Sequence, residues 1–138
     1  MPLTTRDQHF TQPGGGVPTG KPRYVDVAAV PQMELVPGLV FQPVLGEGTM
    51  VNFVSFAPRT EAPRHAHEEE QIVIVLDGEL TFDLDGDRRV MRRFDVAVIP
   101  PWVPHAAWTE DQACFEMDVF NPPRQTLMDH ARQAGGQP

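Results

Sequence analysis

From position 24 onward, short apolar runs alternate with turn residues, and within the runs apolar and polar side chains tend to alternate one by one. A period of two puts one set of side chains on each face of a sheet, so the pattern predicts strands. The segments are 39–45, 51–57, 71–76, 79–84, 88–92, 95–99, 105–109 and 113–120, giving eight or nine strands. Asp77-Gly78 and Asp85-Gly86 offer the positive backbone angle of a tight hairpin, and Pro100-Pro101 cannot continue a ladder, so antiparallel hairpins are expected. After Pro122-Pro123 the spacing changes. Leu127, Met128 and Ala131 recur at helical interval within 124–133, before Gly135-Gly136, which predicts a short terminal helix. Residues 1–22 carry four prolines, the Gly14-Gly15-Gly16 run and almost no apolar periodicity, so nothing there offsets the entropy of ordering it. They read as a flexible arm, one that could lie across a partner subunit. The expected organisation is an arm at 1–22, a β domain at 23–124, and a helix with its tail at 125–138.

Length and composition narrow this further. A chain of 138 residues makes one domain, able to bury a core without disulfides, and its single cysteine, Cys114, could form none internally. Cys114 sits in an apolar strand, where packing is its expected role. Proline and glycine together make up about a fifth of the chain, which suits many short strands better than long helices. The 19 acidic against 11 basic residues give a net charge of −8, which opposes phosphate backbones and anionic lipid as partners. No nucleic acid and no membrane are therefore expected. The longest aliphatic run is 72–76, far below the roughly 20 apolar residues that cross a bilayer, and residues 1–20 lack an apolar signal region. A cytoplasmic location follows as the expectation. Ten of the eleven basic residues are arginine, a skew associated with GC-rich bacterial genomes.

Five histidines carry the candidate chemistry: His9, His65, His67, His105 and His130. In an extended strand, positions i and i+2 share a face, so His65 and His67 would present two imidazoles together, which is metal-ligand spacing. His9 in the arm and His130 on the polar side of the helix read as solvated. Glu68, Glu69 and Glu70 read as a solvated acidic turn.

Read together, His65-x-His67-x3-Gln71-x6-Gly78 and Pro100-x-Trp102-x2-His105 resemble the paired motifs of the cupin superfamily. The resemblance implies an all-β, single-domain jelly-roll sandwich whose metal is held by His65, His67, Gln71 and His105. The chain departs from the family pattern at four places. Gln71 stands where most members have Glu, Phe94 and Trp102 where glycines are usual, and Thr109 at a terminal Asn. Three neutral imidazoles and a neutral amide leave a divalent ion strongly Lewis acidic and disfavour redox cycling. Zinc or nickel therefore ranks ahead of iron, zinc first, with manganese open.

In the last predicted strand, Ala113, Phe115, Met117 and Val119 share one face, and Cys114, Glu116, Asp118 and Phe120 the other. The run Asp118-Val119-Phe120-Asn121-Pro122-Pro123-Arg124 resembles a segment of small cupins that includes the uronate-linearising proteins of pectin degradation and aromatic-polyketide cyclases. That likeness implies that Asp118 is a general acid or base in the metal cavity, Phe120 a packing wall and Arg124 an oxyanion or carboxylate anchor. The large apolar groups Phe53, Phe56, Phe82, Met91, Trp102, Trp108 and Phe120 are candidates for the cavity lining. They suit an apolar or aromatic small-molecule substrate. The expected function is a metal-dependent, non-oxidative enzyme, with cyclisation of a poly-β-keto chain leading. Uronate ring opening, a metal-dependent dioxygenase and a non-catalytic small-molecule-binding module are the alternatives. The family's habit of pairing through its sheets implies a homodimer.

Overall fold

The structure, a computed structural model, describes Pro2, residues 4–10 and residues 15–133. Ten strands run in the order β1 Met33–Val36, β2 Leu39–Leu45, β3 Met50–Phe56, β4 Glu61–His65, β5 Glu70–Gly78, β6 Leu80–Leu84, β7 Asp87–Met91, β8 Val96–Ile99, β9 His105–Trp108 and β10 Cys114–Asn121. They form two antiparallel sheets, six strands ordered β1-β2-β3-β10-β5-β8 and four ordered β4-β9-β6-β7. This is the expected all-β sandwich. Inward-pointing Leu39, Val54, Phe56, Val73, Val75, Leu80 and Phe82 meet between the sheets, and Cys114 packs among them. Burial pushes the Cys114 thiol up to about 11, so it is an inert packing group.

Two strands have no hydrophobic alternation to announce them. β4 reads Glu-Ala-Pro-Arg-His and buries almost nothing; its partner β9 holds it, pairing Glu61 with Trp108 and His65 with His105. β1 is an edge strand laid on β2, with Met33 opposite Phe41. The two Asp-Gly turns also differ from each other. Asp85 and Gly86 take φ of 51° and 93° between paired Leu84 and Asp87, the expected two-residue hairpin. Gly78 does not close a hairpin: β5 lies in the large sheet between β10 and β8, and β6 belongs to the small one. Gly78 has φ of 80°, and a Cβ there would stand 2.0 Å from the carbonyl oxygen of Ala113. Its glycine serves the close approach to β10 where the chain crosses between sheets.

Within the arm, Thr5–Phe10 forms α1, which the sequence pattern did not predict and which buries no side chain. Thr4 Oγ1 caps it by accepting from the Asp7 N–H. At the other end, a 3-10 turn at Gln125–Leu127 leads into α2, Met128–Gln133. Leu127 and Ala131 pack on Leu45, Met50 and Phe120, closing one end of the sandwich. Gly14 and Gly135-Gly136 lie outside the described residues. Among those residues, no helix is long and apolar enough to cross a membrane.

Candidate metal centre and its cavity

His65 ends β4 and faces His105, which begins β9. His67 lies beyond the end of β4, in the turn that leads to Gln71 near the start of β5. The pair His65 and His67 is therefore gathered by a turn rather than by one continuous strand face. The ligand atoms of His65, His67 and His105 all lie within 4.8 Å of one another, so the three side chains could hold a metal ion.

The hydrogen bonds decide which nitrogens converge. Nδ1 of His65 lies 2.7 Å from the Pro63 carbonyl, Nδ1 of His67 2.9 Å from the Glu69 carbonyl, and Nδ1 of His105 2.9 Å from the Val103 carbonyl. A carbonyl only accepts, so each Nδ1 carries the proton and each Nε2 presents a lone pair. Nε2 of His67 then faces Oε1 of Gln71 at 3.0 Å, two acceptors with no proton between them. Nε2 of His105 is buried without any partner. Charging the rings does not relieve this. Burial, with Arg124 nearby, lowers the pKa of His67, and burial lowers that of His105 to about 4, so both are neutral near pH 7. Three imidazole lone pairs so gathered could hold a divalent cation, and the Gln71 oxygen, which has no hydrogen donor, lies beside them.

A polar chain continues from Gln71 along the inner wall. Its oxygen faces His67, so the amide N–H₂ donates to Asp118, and Asp118 also shares a hydrogen bond with Glu116. Both carboxyls are buried on the inner face of β10, while Phe115, Met117 and Val119 turn outward. Burial next to Asp118 pushes Glu116 well up. Burial also raises Asp118, against the hydrogen bonds from Glu116 and Gln71. The pair thus holds one proton more readily than none, with Glu116 as donor to Asp118.

Arg124 also reaches the cavity, where Phe120 packs edge-on against the His67 ring at 5.8 Å. Its Nη1 lies 3.4 Å from Oε1 of Glu69, whose Oε2 accepts from the Gln125 N–H at 2.8 Å. Glu69 is 4% exposed, so the expectation of a solvated turn fails at this residue. Its burial would raise its pKa, but the Gln125 N–H and Arg124 hold it low. Glu69 thereby fixes His67 through its carbonyl and Arg124 through its carboxylate. Nothing in the run Glu68-Glu69-Glu70 marks the middle glutamate, because its partner is 55 positions away. His9 is exposed; His130 faces the Pro31 carbonyl at 3.0 Å, far from the other histidines in sequence.

The cavity between the sheets has a volume of about 390 Å³, within the range of small-molecule sites. Phe56, Phe82 and Phe120 line it. The other expected lining residues do not. Asn52 and Val54 point inward, which turns Phe53 outward onto Phe115. Met91 is absorbed into the core, Trp108 lies under the Arg88 guanidinium, and Trp102 is 64% exposed outside the sandwich.

The profile of one protein family, described as a cupin domain, matches residues 52–120, half of the chain. Solved structures share the fold. KdgF from a Halomonas species superposes with a TM-score of 0.73 at 23% identity, covering 78% of this chain and 99% of that one. An RmlC-like cupin from Shewanella frigidimarina gives 0.72 at 24%, covering 78% and 96%. The polyketide cyclase RemF from Streptomyces resistomycificus gives 0.65 at 22%, covering 73% and 80%.

Proposed function

The chain belongs to the cupin family, and we propose that it is a metal-dependent, non-oxidative enzyme that cyclises a small poly-β-keto substrate. The observation that carries this reading is the convergence of three imidazole lone pairs and the Gln71 oxygen without a hydrogen donor, beside a buried carboxyl pair in an apolar cavity. His65, His67, Gln71 and His105 would hold the ion, zinc ahead of nickel, iron and manganese, because an all-neutral ligand set suits a Lewis acid better than a redox centre. When bound, such an ion polarises a substrate carbonyl. Asp118 takes a proton from the carbon beside that carbonyl and returns it to the oxygen of the second carbonyl, which the resulting carbanion attacks. Phe120 packs against the guest, and Phe56 and Phe82 keep water from its apolar part. The likeness in fold to a solved polyketide cyclase agrees with this reaction class.

Arg124 favours a second reading, ring opening of a uronate, because a guanidinium at the cavity can hold a substrate carboxylate. The two readings separate on substrate. Elemental analysis of protein purified without added metal should find one divalent ion per chain, and a poly-β-keto thioester mimic should be consumed faster than an unsaturated uronate. An empty site in protein that retains all four ligand side chains overturns both readings.

A further inference from the structure

Asn52 has no accessible surface, and neither its Nδ2 nor its Oδ1 has a hydrogen-bond partner. It is the register partner of Asp118 on the neighbouring strand, and both project into the cavity. Oε2 of Glu116, two positions further along β10, and Oδ1 of Asp118 are also buried without partners. Two positions of strand are about 7 Å, and β10 runs from Phe120, opposite Gln71, through Asp118 to Glu116. The orphaned atoms therefore begin beside the metal end and extend away from it. Buried polar groups are normally paired, so so many on one wall mark a place for a ligand rather than a packing solution. The histidines and Asp118, with the proton Glu116 shares with it, account for the chemistry, whereas Asn52 and the free Oε2 of Glu116 have no part in it.

We propose that Asn52 and Glu116 form a second recognition point that binds a hydroxyl group of the substrate, an enol or phenol, while the reacting carbonyl lies at the histidine end. The atoms fix the polarity of that group. Glu116 gives its proton to Asp118, so its remaining oxygen accepts; Asn52 offers N–H donors and one further acceptor. A hydroxyl oxygen can accept from Asn52 Nδ2 while its proton goes to Glu116 Oε2. A ketone would leave the acceptors unmet, and a carboxylate would stand against Asp118. The polar wall thus selects a neutral, hydroxylated or enolised guest.

The inference rests on the cavity being the substrate site, and its test needs no turnover. Resorcinol and 1,3-dimethoxybenzene share a ring and differ in hydroxyl protons, and their binding to the zinc-loaded protein can be followed by NMR titration. The wild type should prefer resorcinol by about tenfold, the worth of roughly one net hydrogen bond. Asn52→Val should abolish the preference while zinc content stays unchanged and Tm holds or rises, because it removes two unmet polar atoms. Asn52→Ala serves where Val overfills the site. Glu116→Gln should keep the preference, since its amide donates to Asp118 and leaves its oxygen to the ligand. Equal affinities in the wild type, an undiminished preference in the Asn52 variants, or a Tm lowered by several degrees would overturn the proposal. Failure of the enzyme reading would instead appear as missing metal or absent turnover, with the hydroxyl preference intact.

Discussion

His65 and His105 are register partners on β4 and β9, with ring centroids 4.3 Å apart and both Nδ1 atoms turned away to backbone carbonyls. Two rings so placed present their lone pairs to one point. Replacing His65, His67 or His105 with Ala should therefore remove the metal and the activity together, leaving a β-rich circular dichroism spectrum. The strands keep their ladders, and the apolar residues packed between the sheets stay in place. Stoichiometric metal in all three variants would refute the ligand assignment.

Gln71 joins the ion site to the proton site, because its oxygen faces His67 and its amide donates to Asp118. Glu at this position would supply a stronger anionic ligand, weakening the Lewis acid, and would also set a carboxylate against Asp118. Gln71→Glu should bind zinc at least as tightly, turn over more slowly, and shift the acid limb of the pH–rate profile upward as Asp118 becomes harder to ionise. Unchanged rates and an unchanged profile with the same metal would leave the amide without an account.

In the metal-free protein His105 contributes to the acid side of the stability curve. The folded His105 titrates near 4 instead of 6.5, so between those values the unfolded chain binds more protons and stability rises with pH. The depressed pKa corresponds to about 3 kcal/mol gained across that interval. Glu116 acts in the opposite sense. Its pKa is raised by burial, so its contribution is present below the ordinary carboxylate range and is lost as pH rises. The difference in unfolding free energy between wild type and His105→Gln, measured by urea titration after chelation, isolates the histidine and should grow from pH 4 to 6.5. A flat difference would refute it.

Strands with alternating apolar residues were legible from the chain alone, and β2 spans the positions its pattern indicates. β4 was not, since its support is the ladder to β9, a partner 40 or more residues away. The histidine set was legible because each of its two segments keeps a recognisable spacing within itself, although His105 lies 40 positions from His65, and the structure adds the tautomers that make them converge. Glu69, Asn52 and Glu116 were hidden because burial, not residue type, gives them meaning. Phe94 and Trp102, at positions where the family usually has glycine, keep the backbone of that glycine, with φ of 69° and 65°. Such a conformation costs a non-glycine residue on the order of 1–3 kcal/mol, a strain that composition cannot show.

Those two aromatics precede and follow β8 in the chain, and β8 borders an open apolar face. On the outside of the large sheet, Phe53, Met117, Ile74 and Val96 form one row across four strands, and Val51, Val119, Ile72 and Val98 form the next. Val96 and Val98 are 55% and 54% exposed on β8, an edge strand with no charge of its own. In a chain of net charge −8 these two uncharged rows are where a second copy can approach with least repulsion. We propose a two-fold homodimer through it. Sedimentation should give twice 15.4 kDa, and Val98→Arg should give the monomer with its metal retained. A monomeric wild type at micromolar concentration would refute it.

Asp118→Asn separates chemistry from structure. Asn keeps the volume of the side chain and can satisfy the same neighbours, its oxygen accepting from Gln71 and its amide donating to Glu116. Metal content and Tm should therefore stay near wild type. The substitution removes the carboxylate that would take the proton from carbon, so turnover of the poly-β-keto mimic should fall by roughly two to four powers of ten. The loss should appear in kcat more than in KM, because the interaction removed belongs to the transition state. Should the variant turn over normally, Asp118 would be a hydrogen-bond acceptor for Gln71 and Glu116 only, and the proton would have to move through Glu116.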